Sequence, residues 1–217
     1  GEAVLAGMAM GYRLGERRSI QGLVMGPVDS ESMKATGKIV DIDELQPPGT
    51  YMLRLSGALR VVPLTEHVPL QRAIEAITPQ AIVELIRLLD ATLRKWGFPR
   101  PRIAVAGINP HAMFEDDRLR VSPAVVAAQR EGISAFGPIA PDSVFRMALE
   151  GRYEAVVTMF HDQGQIAVKT AAFAGACTVY IGLPYLLLNV PHGTAFDIAG
   201  KGLAQHLSML AAIKTAA

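Results

Sequence analysis

Residues 153–169 read YEAVVTMFHDQGQIAVK. The run from Tyr153 to Phe160 is mostly apolar and predicts a buried strand, and it breaks at once into His161-Asp162-Gln163-Gly164. Working outward, the pattern recurs. RIAVAGI (residues 102–108) reads as a strand that exits through Asn109-Pro110 to His111, and CTVYIG (residues 177–182) is another strand. Near the start, IQGLVMG (residues 20–26) is a strand ended by Pro27, and YMLRLSGALRVVPLT (residues 51–65) has two apolar runs around Ser56-Gly57, a β-hairpin signal. Helices fall between them. Glu2 to Gly15 has helical spacing, and Pro79 opens a long amphipathic stretch, PQAIVELIRLLDATLRKW, that stops at Gly97 and Pro99. Further helices are predicted from Pro123, from Asp142 to Glu150, and over most of Thr194 to Lys214.

Strands alternating with helices, and strands too uniformly apolar to have a wet face, predict an α/β chain with a mixed, mostly parallel, covered sheet. Residues 1–217 read as one α/β chain, with the turn-rich stretch 37–50 as its edge or a missing loop. Half of the residues are hydrophobic, and 21 Lys and Arg stand against 20 Asp and Glu, which argues against a nucleic-acid binder. The longest apolar runs are interrupted by Gly and Pro, so no membrane span is expected. The first residues have no basic start and no cleavage site, so no signal peptide is expected. The single cysteine, Cys177, rules out an internal disulfide framework and suits a reducing cytoplasm, with a buried thiol inside a strand as its expected role.

Three of the five histidines, His67, His111 and His161, stand where an apolar run enters a turn. Side chains at strand ends project into the crevice where α/β folds bind ligands. Imidazole nitrogen suits Zn²⁺ and its neighbours, and three protein ligands leave positions open for substrate, so these histidines form a candidate metal set. Each alone reads better as a turn residue or as one paired with a backbone carbonyl, and it is three at strand exits that shift the reading to a metal. Asp162 is placed to orient an imidazole. Lys169, in a mostly apolar stretch, is a candidate for holding an anionic substrate group, or a surface lysine with its stem on apolar neighbours. The segment PHGTAFDIAGKG (residues 191–202) is punctuated by glycine and opens a predicted helix, a setting suited to nucleotide phosphates, although no GxGxxG fingerprint occurs. His206 reads as a packing or surface residue within a helix. Asp142 reads as a helix cap that is also able to face a cleft.

The segments AGINPHA, GPIAPDSVF, YEAVVTMFHDQGQIAVK, IGLPY and HGTAFDIAGKG, in this order, closely resemble the 4-hydroxythreonine-4-phosphate dehydrogenase family, and GPVDSESMKATG and LRVVPLTEHVPL extend the likeness. The resemblance implies a three-layer architecture like that of isocitrate and isopropylmalate dehydrogenases, with two subdomains and the active site in the cleft between them. It implies an NAD- and metal-dependent homodimer (Zn, or Mg, Mn or Co) that shares its metal site across subunits and oxidises a phosphorylated four-carbon hydroxy acid with loss of CO₂. By the same likeness His67, His111 and His161 match the metal ligands, and Lys169 a substrate residue. Asp142 is then a candidate for substrate contact or proton relay. Gly182, Leu183, Pro184, His192, Gly193, Thr194 and Ala195 are candidates for the nucleotide side.

Departures from the family pattern narrow the reading. Thr178 and Leu187 stand where the vitamin B6 enzyme has an asparagine and an arginine, which leaves Thr178 as the substrate-binding candidate and removes an anion clamp. Together with Pro191 before His192, this favours the branch acting on D-threonate or D-erythronate 4-phosphate over 4-phosphohydroxy-L-threonine. A Gly-His-Thr motif expected after Gly37, a glycine-rich loop expected after His111 and the family's N-terminal portion are missing. The junctions Gly37–Lys38 and Ala112–Met113 are therefore read as places where segments have dropped out. Two rival readings are a metal-dependent hydrolase or lyase without a nucleotide, and a non-catalytic binding member of the fold.

Overall fold

A computed structural model describes residues 1–171 and 175–217. The elements in chain order are α1 (Glu2–Glu16), β1 (Gly22–Met25), α2 (Ser30–Lys34), β2 (Tyr51–Ser56), β3 (Leu59–Pro63), α3 (Leu70–Ala76), α4 (Pro79–Lys95), β4 (Ile103–Ala106), α5 (Ser122–Arg130), β5 (Ala135–Ile139), α6 (Val144–Leu149), β6 (Ala155–Thr158), α7 (His161–Ala171), β7 (Cys177–Ile181), β8 (Leu186–Asn189) and α8 (Leu207–Ala216). They divide into two compact units, Gly1–Thr50 with Ala174–Ala217, and Tyr51–Phe173.

The second unit carries strands in the order β2-β3-β6-β4-β5. The β2–β3 hairpin is antiparallel and turns at Gly57, whose φ of +58° suits glycine. From β3 onward every pairing is parallel: β3 with β6, β6 with β4, and β4 with β5. Every residue of β4 and β6 is buried. Successive side chains on a strand point to opposite faces, so both faces are covered, as the uniformly apolar sequence predicts. The helices α6 and α7 cover one face through Val144, Ala148 and Val168, which pack with Leu59, Val61, Ala104, Ala106 and Val156. The long α4 buries Ile82, Val83, Leu85, Ile86, Leu89 and Leu93 on one stripe, the 3.6-residue pattern of its sequence. Thr78 accepts a hydrogen bond from the Ala81 N–H at its start, with Pro79 in the first turn. Arg87 of α4 pairs with Glu131 at the end of α5.

The first unit has β1 parallel to β8 and β8 antiparallel to β7. α8 packs on all three of these strands and α1 on β1. Gly11 and Gly15, one turn apart on α1, let it approach closely: a Cβ at Gly15 would stand 2.6 Å from the Tyr185 ring, and one at Gly11 2.6 Å from Leu23. Cys177 is buried in β7, as its apolar surroundings predict.

Several local expectations need correction. The segment 194–214 is not one long helix: a 3₁₀ turn at Phe196–Ile198 and a run of turns precede α8, whose start His206 flanks rather than joins. Gly200 and Gly202, both at positive φ, interrupt it. The strands β5 and β8 and the short helix α3 emerge where sequence periodicity is weak. HDQG, read as a turn, is the first turn of α7.

Candidate metal centre

Parallel strands deliver their ends to one edge, and in the second unit four such ends carry chemistry-bearing residues. β3 leads to Glu66 and His67, β6 to His161, β4 to His111 and β5 to Asp142. The first two ends are stitched together. The Leu64 N–H donates to the Thr158 carbonyl at 2.8 Å, and the Thr65 hydroxyl donates to the Met159 carbonyl at 3.2 Å. Gln163 secures the start of α7, accepting from the Met159 N–H and donating its amide to the Gly107 carbonyl beyond β4, both at 2.8 Å. Gly164 lets the helix sit down on the strands, since a Cβ there would lie 2.8 Å from Thr158 Oγ1 and 2.9 Å from Val61 Cγ1.

These contacts bring His67 and His161 together, 94 residues apart in sequence, with ring centroids 4.8 Å apart and planes inclined at 54°. Asp162 Oδ1 lies 2.7 Å from His161 Nδ1. With Nδ1–H donating to that carboxylate, Nε2 carries the free lone pair. Glu66 completes the group: one ligand atom from each of Glu66, His67 and His161 lies within 4.8 Å of the others. Ligands about 2.1 Å from one ion stand at most about 4.2 Å apart, close to this spread, and two imidazoles with a carboxylate suit a divalent cation. A cavity of about 390 Å³ opens here, bounded by these residues and by Val68, Leu70 and Phe160.

The remaining candidates lie as follows. His111, exposed after β4, holds φ +59° in the turn Pro110–Ala112 and is not a member of the Glu66–His67–His161 group. Beneath its loop, Asp117 is fully buried and accepts the Ile108 N–H at 2.6 Å. Lys169 is exposed in the last turn of α7, eight residues and so about 12 Å along the axis from His161. Asp142 is exposed and accepts from the Ser143 hydroxyl rather than capping α6, whose cap position Ser143 occupies. Thr178 is buried in β7 opposite Asn189. Gly182, Leu183 and Pro184 form the open turn between β7 and β8, with Gly182 at φ +111°. His192 Nδ1 contacts the Gly193 carbonyl, Gly193 and Ala195 are exposed, Thr194 is half-buried, and the helix predicted to start here is only the 3₁₀ turn.

Sequence reading missed Glu66 and the residue that grips it. Arg54 in β2 is 3% exposed and forks onto both carboxylate oxygens of Glu66, at 2.5 and 2.6 Å. An arginine inside the apolar strand YMLRLS was the available signal, because a buried guanidinium requires an acidic partner.

A family model described as pyridoxal phosphate biosynthetic protein PdxA matches residues 1–216. A Novosphingobium aromaticivorans protein named for 4-hydroxythreonine-4-phosphate dehydrogenase is 45% identical over 197 residues, covering 91% of this chain and 60% of that protein. A Symbiobacterium thermophilum protein named for D-threonate 4-phosphate dehydrogenase is 39% identical over 231 residues, covering the whole of this chain and 68% of the relative. Among solved structures, one from Salmonella typhimurium titled as a 4-hydroxythreonine-4-phosphate dehydrogenase superposes with a TM-score of 0.84 at 31% identity, covering 96% of this chain and 67% of that one. An isocitrate dehydrogenase from Methylococcus capsulatus, at 16% identity over 91% of this chain and 67% of that one, shares the fold with a TM-score of 0.58. The chain thus spans about two thirds of the length of the relatives it matches.

Proposed function

The chain belongs to the PdxA family of pyridoxal phosphate biosynthetic proteins, and on that premise we propose that it is an NAD- and divalent-cation-dependent oxidoreductase. Its substrate is a 4-phosphorylated four-carbon hydroxy acid, oxidised with loss of CO₂. The loss of the arginine at Leu187 favours D-threonate or D-erythronate 4-phosphate over 4-phosphohydroxy-L-threonine, and the name of the Symbiobacterium relative accords with that choice. The observation that carries the reading is the convergence of His67 and His161 at the exits of adjacent parallel strands.

His67, His161 and His111 would hold the cation (Zn²⁺, or Mg²⁺, Mn²⁺ or Co²⁺), His111 being supplied by its own subunit or by the partner in a homodimer that shares the site. When bound, the cation supplies Lewis acidity at the substrate hydroxyl, and the nicotinamide supplies a hydride acceptor. The protein's part is positioning. Asp162 fixes the His161 ring so that Nε2 faces the ligand. Lys169 anchors substrate charge as a compact cation, Thr178 tunes the substrate side, and Asp142 contacts substrate or relays a proton. The open backbone at Gly182–Pro184 and at His192–Ala195 would hold the nucleotide. Among the described residues no helix is long and apolar enough to cross a membrane, and a cytoplasmic setting suits a free thiol and an NAD-linked reaction.

The test is NADH formation against a panel of phosphorylated four-carbon hydroxy acids, with and without a chelator. We expect turnover that chelation abolishes and Zn²⁺, Mn²⁺, Co²⁺ or Mg²⁺ restores, and an apparent stability raised by NAD. Full turnover after exhaustive metal removal, or no protection by NAD, would overturn the proposal.

A further inference from the structure

Resting on the cation reading above, we propose that Glu66, presented by the buried Arg54, is the carboxylate arm of the cation site and sets its metal preference. Both Glu66 oxygens are already bonded to Arg54, with Nη1 at 2.5 Å and Nη2 at 2.6 Å, and Arg54 is itself tied to the Met52 carbonyl at 2.8 Å. A fork of this kind stops the carboxylate from rotating and fixes its plane. Each oxygen keeps a second lone pair, and Glu66 borders the same cavity as His67 and His161.

The pair has an energetic oddity that a purely structural role leaves unexplained. Arg54 is 3% exposed and its Nε–H has no hydrogen-bond partner among the described residues. Replacing a buried ion pair by an apolar pair of similar volume is often neutral or stabilising, so stability alone does not account for it. What the pair does achieve is to hold an anionic oxygen beside two imidazoles. A carboxylate beside imidazoles makes a site accept harder cations, such as Mn²⁺, more readily than imidazoles alone.

The experiment is a calorimetric titration of the full chain with Mn²⁺ and, separately, Zn²⁺, comparing the parent protein, His67→Ala, Glu66→Gln, Arg54→Lys and the double variant Arg54→Leu/Glu66→Leu. The double variant removes the ion pair as a unit, so the carboxylate is lost without stranding a buried charge. We expect Glu66→Gln and the double variant to weaken Mn²⁺ binding by about 10- to 100-fold, with a smaller loss for Zn²⁺, and Arg54→Lys to fall between them and the parent. Folded Glu66 variants that bind both ions as the parent does would overturn the role of Glu66 while leaving the histidine site intact. A parent chain that binds neither ion, or that His67→Ala leaves unaffected, would instead overturn the cation reading itself.

Discussion

At the scale of single residues, Gly164 shows how a short motif encodes a distance. HDQG needs a glycine at its fourth position because Thr158 and Val61 already occupy the space of a side chain. Gly164→Ala should destabilise the protein by about 1–3 kcal/mol, read as a shift in the urea midpoint, and should weaken cation binding by lifting His161 off the strands. Cys177 makes the opposite case, a chemically capable group held inert. Burial in β7 pushes its thiol up from the ordinary value, so the nucleophilic thiolate is scarce at neutral pH. Thiol-reactive dye should label the native protein slowly at pH 7.5 and the urea-unfolded chain rapidly. Equal rates would show the thiol to be accessible.

At the scale of elements, legibility followed the strength of the local signal. α4 could be read from Pro79 to Trp96 because first-turn proline, apolar stripe and terminal glycine agree. Thr78→Ala should therefore cost about 1 kcal/mol, seen as a lower melting temperature, by removing the acceptor of the Ala81 N–H. β5 and β8 were illegible for physical reasons. β5 contains Gly137 and Pro138, which ordinarily argue against a strand, and β8 follows a Gly-Leu-Pro turn inside a longer apolar run with no break of its own. The site was half legible. Histidines at strand exits announced themselves, and the structure pairs His67 with His161. The Arg54–Glu66 clamp depends on two side chains from the two strands of a hairpin, and no one-dimensional pattern marks such a pair.

At the scale of the whole molecule, acid stability can be traced to particular carboxylates. The Arg102 guanidinium, hydrogen-bonded to Glu154, holds that carboxyl below its ordinary value of 4.5. A group whose pKa is lower in the folded state contributes stability above its unfolded value, and the contribution is lost as pH falls through the folded one. Unfolding midpoints in urea should thus be flat above about pH 5 with respect to this group and should decline below 4.5, and Glu154→Gln should flatten that limb. The same molecule-wide view bears on how the chain reaches its native state. The hydroxyl bridge from Thr65 to Met159 spans 94 residues of sequence, so the pocket that gathers both imidazoles closes only after distant strands have found their register. A ligand that binds only the completed pocket stabilises the native state and not the transition state, so it lowers the unfolding rate alone. Stopped-flow kinetics with Mn²⁺ should accordingly show a slower unfolding rate and an unaltered refolding rate, so that the ion works as a latch on a finished structure and not as a template for building it.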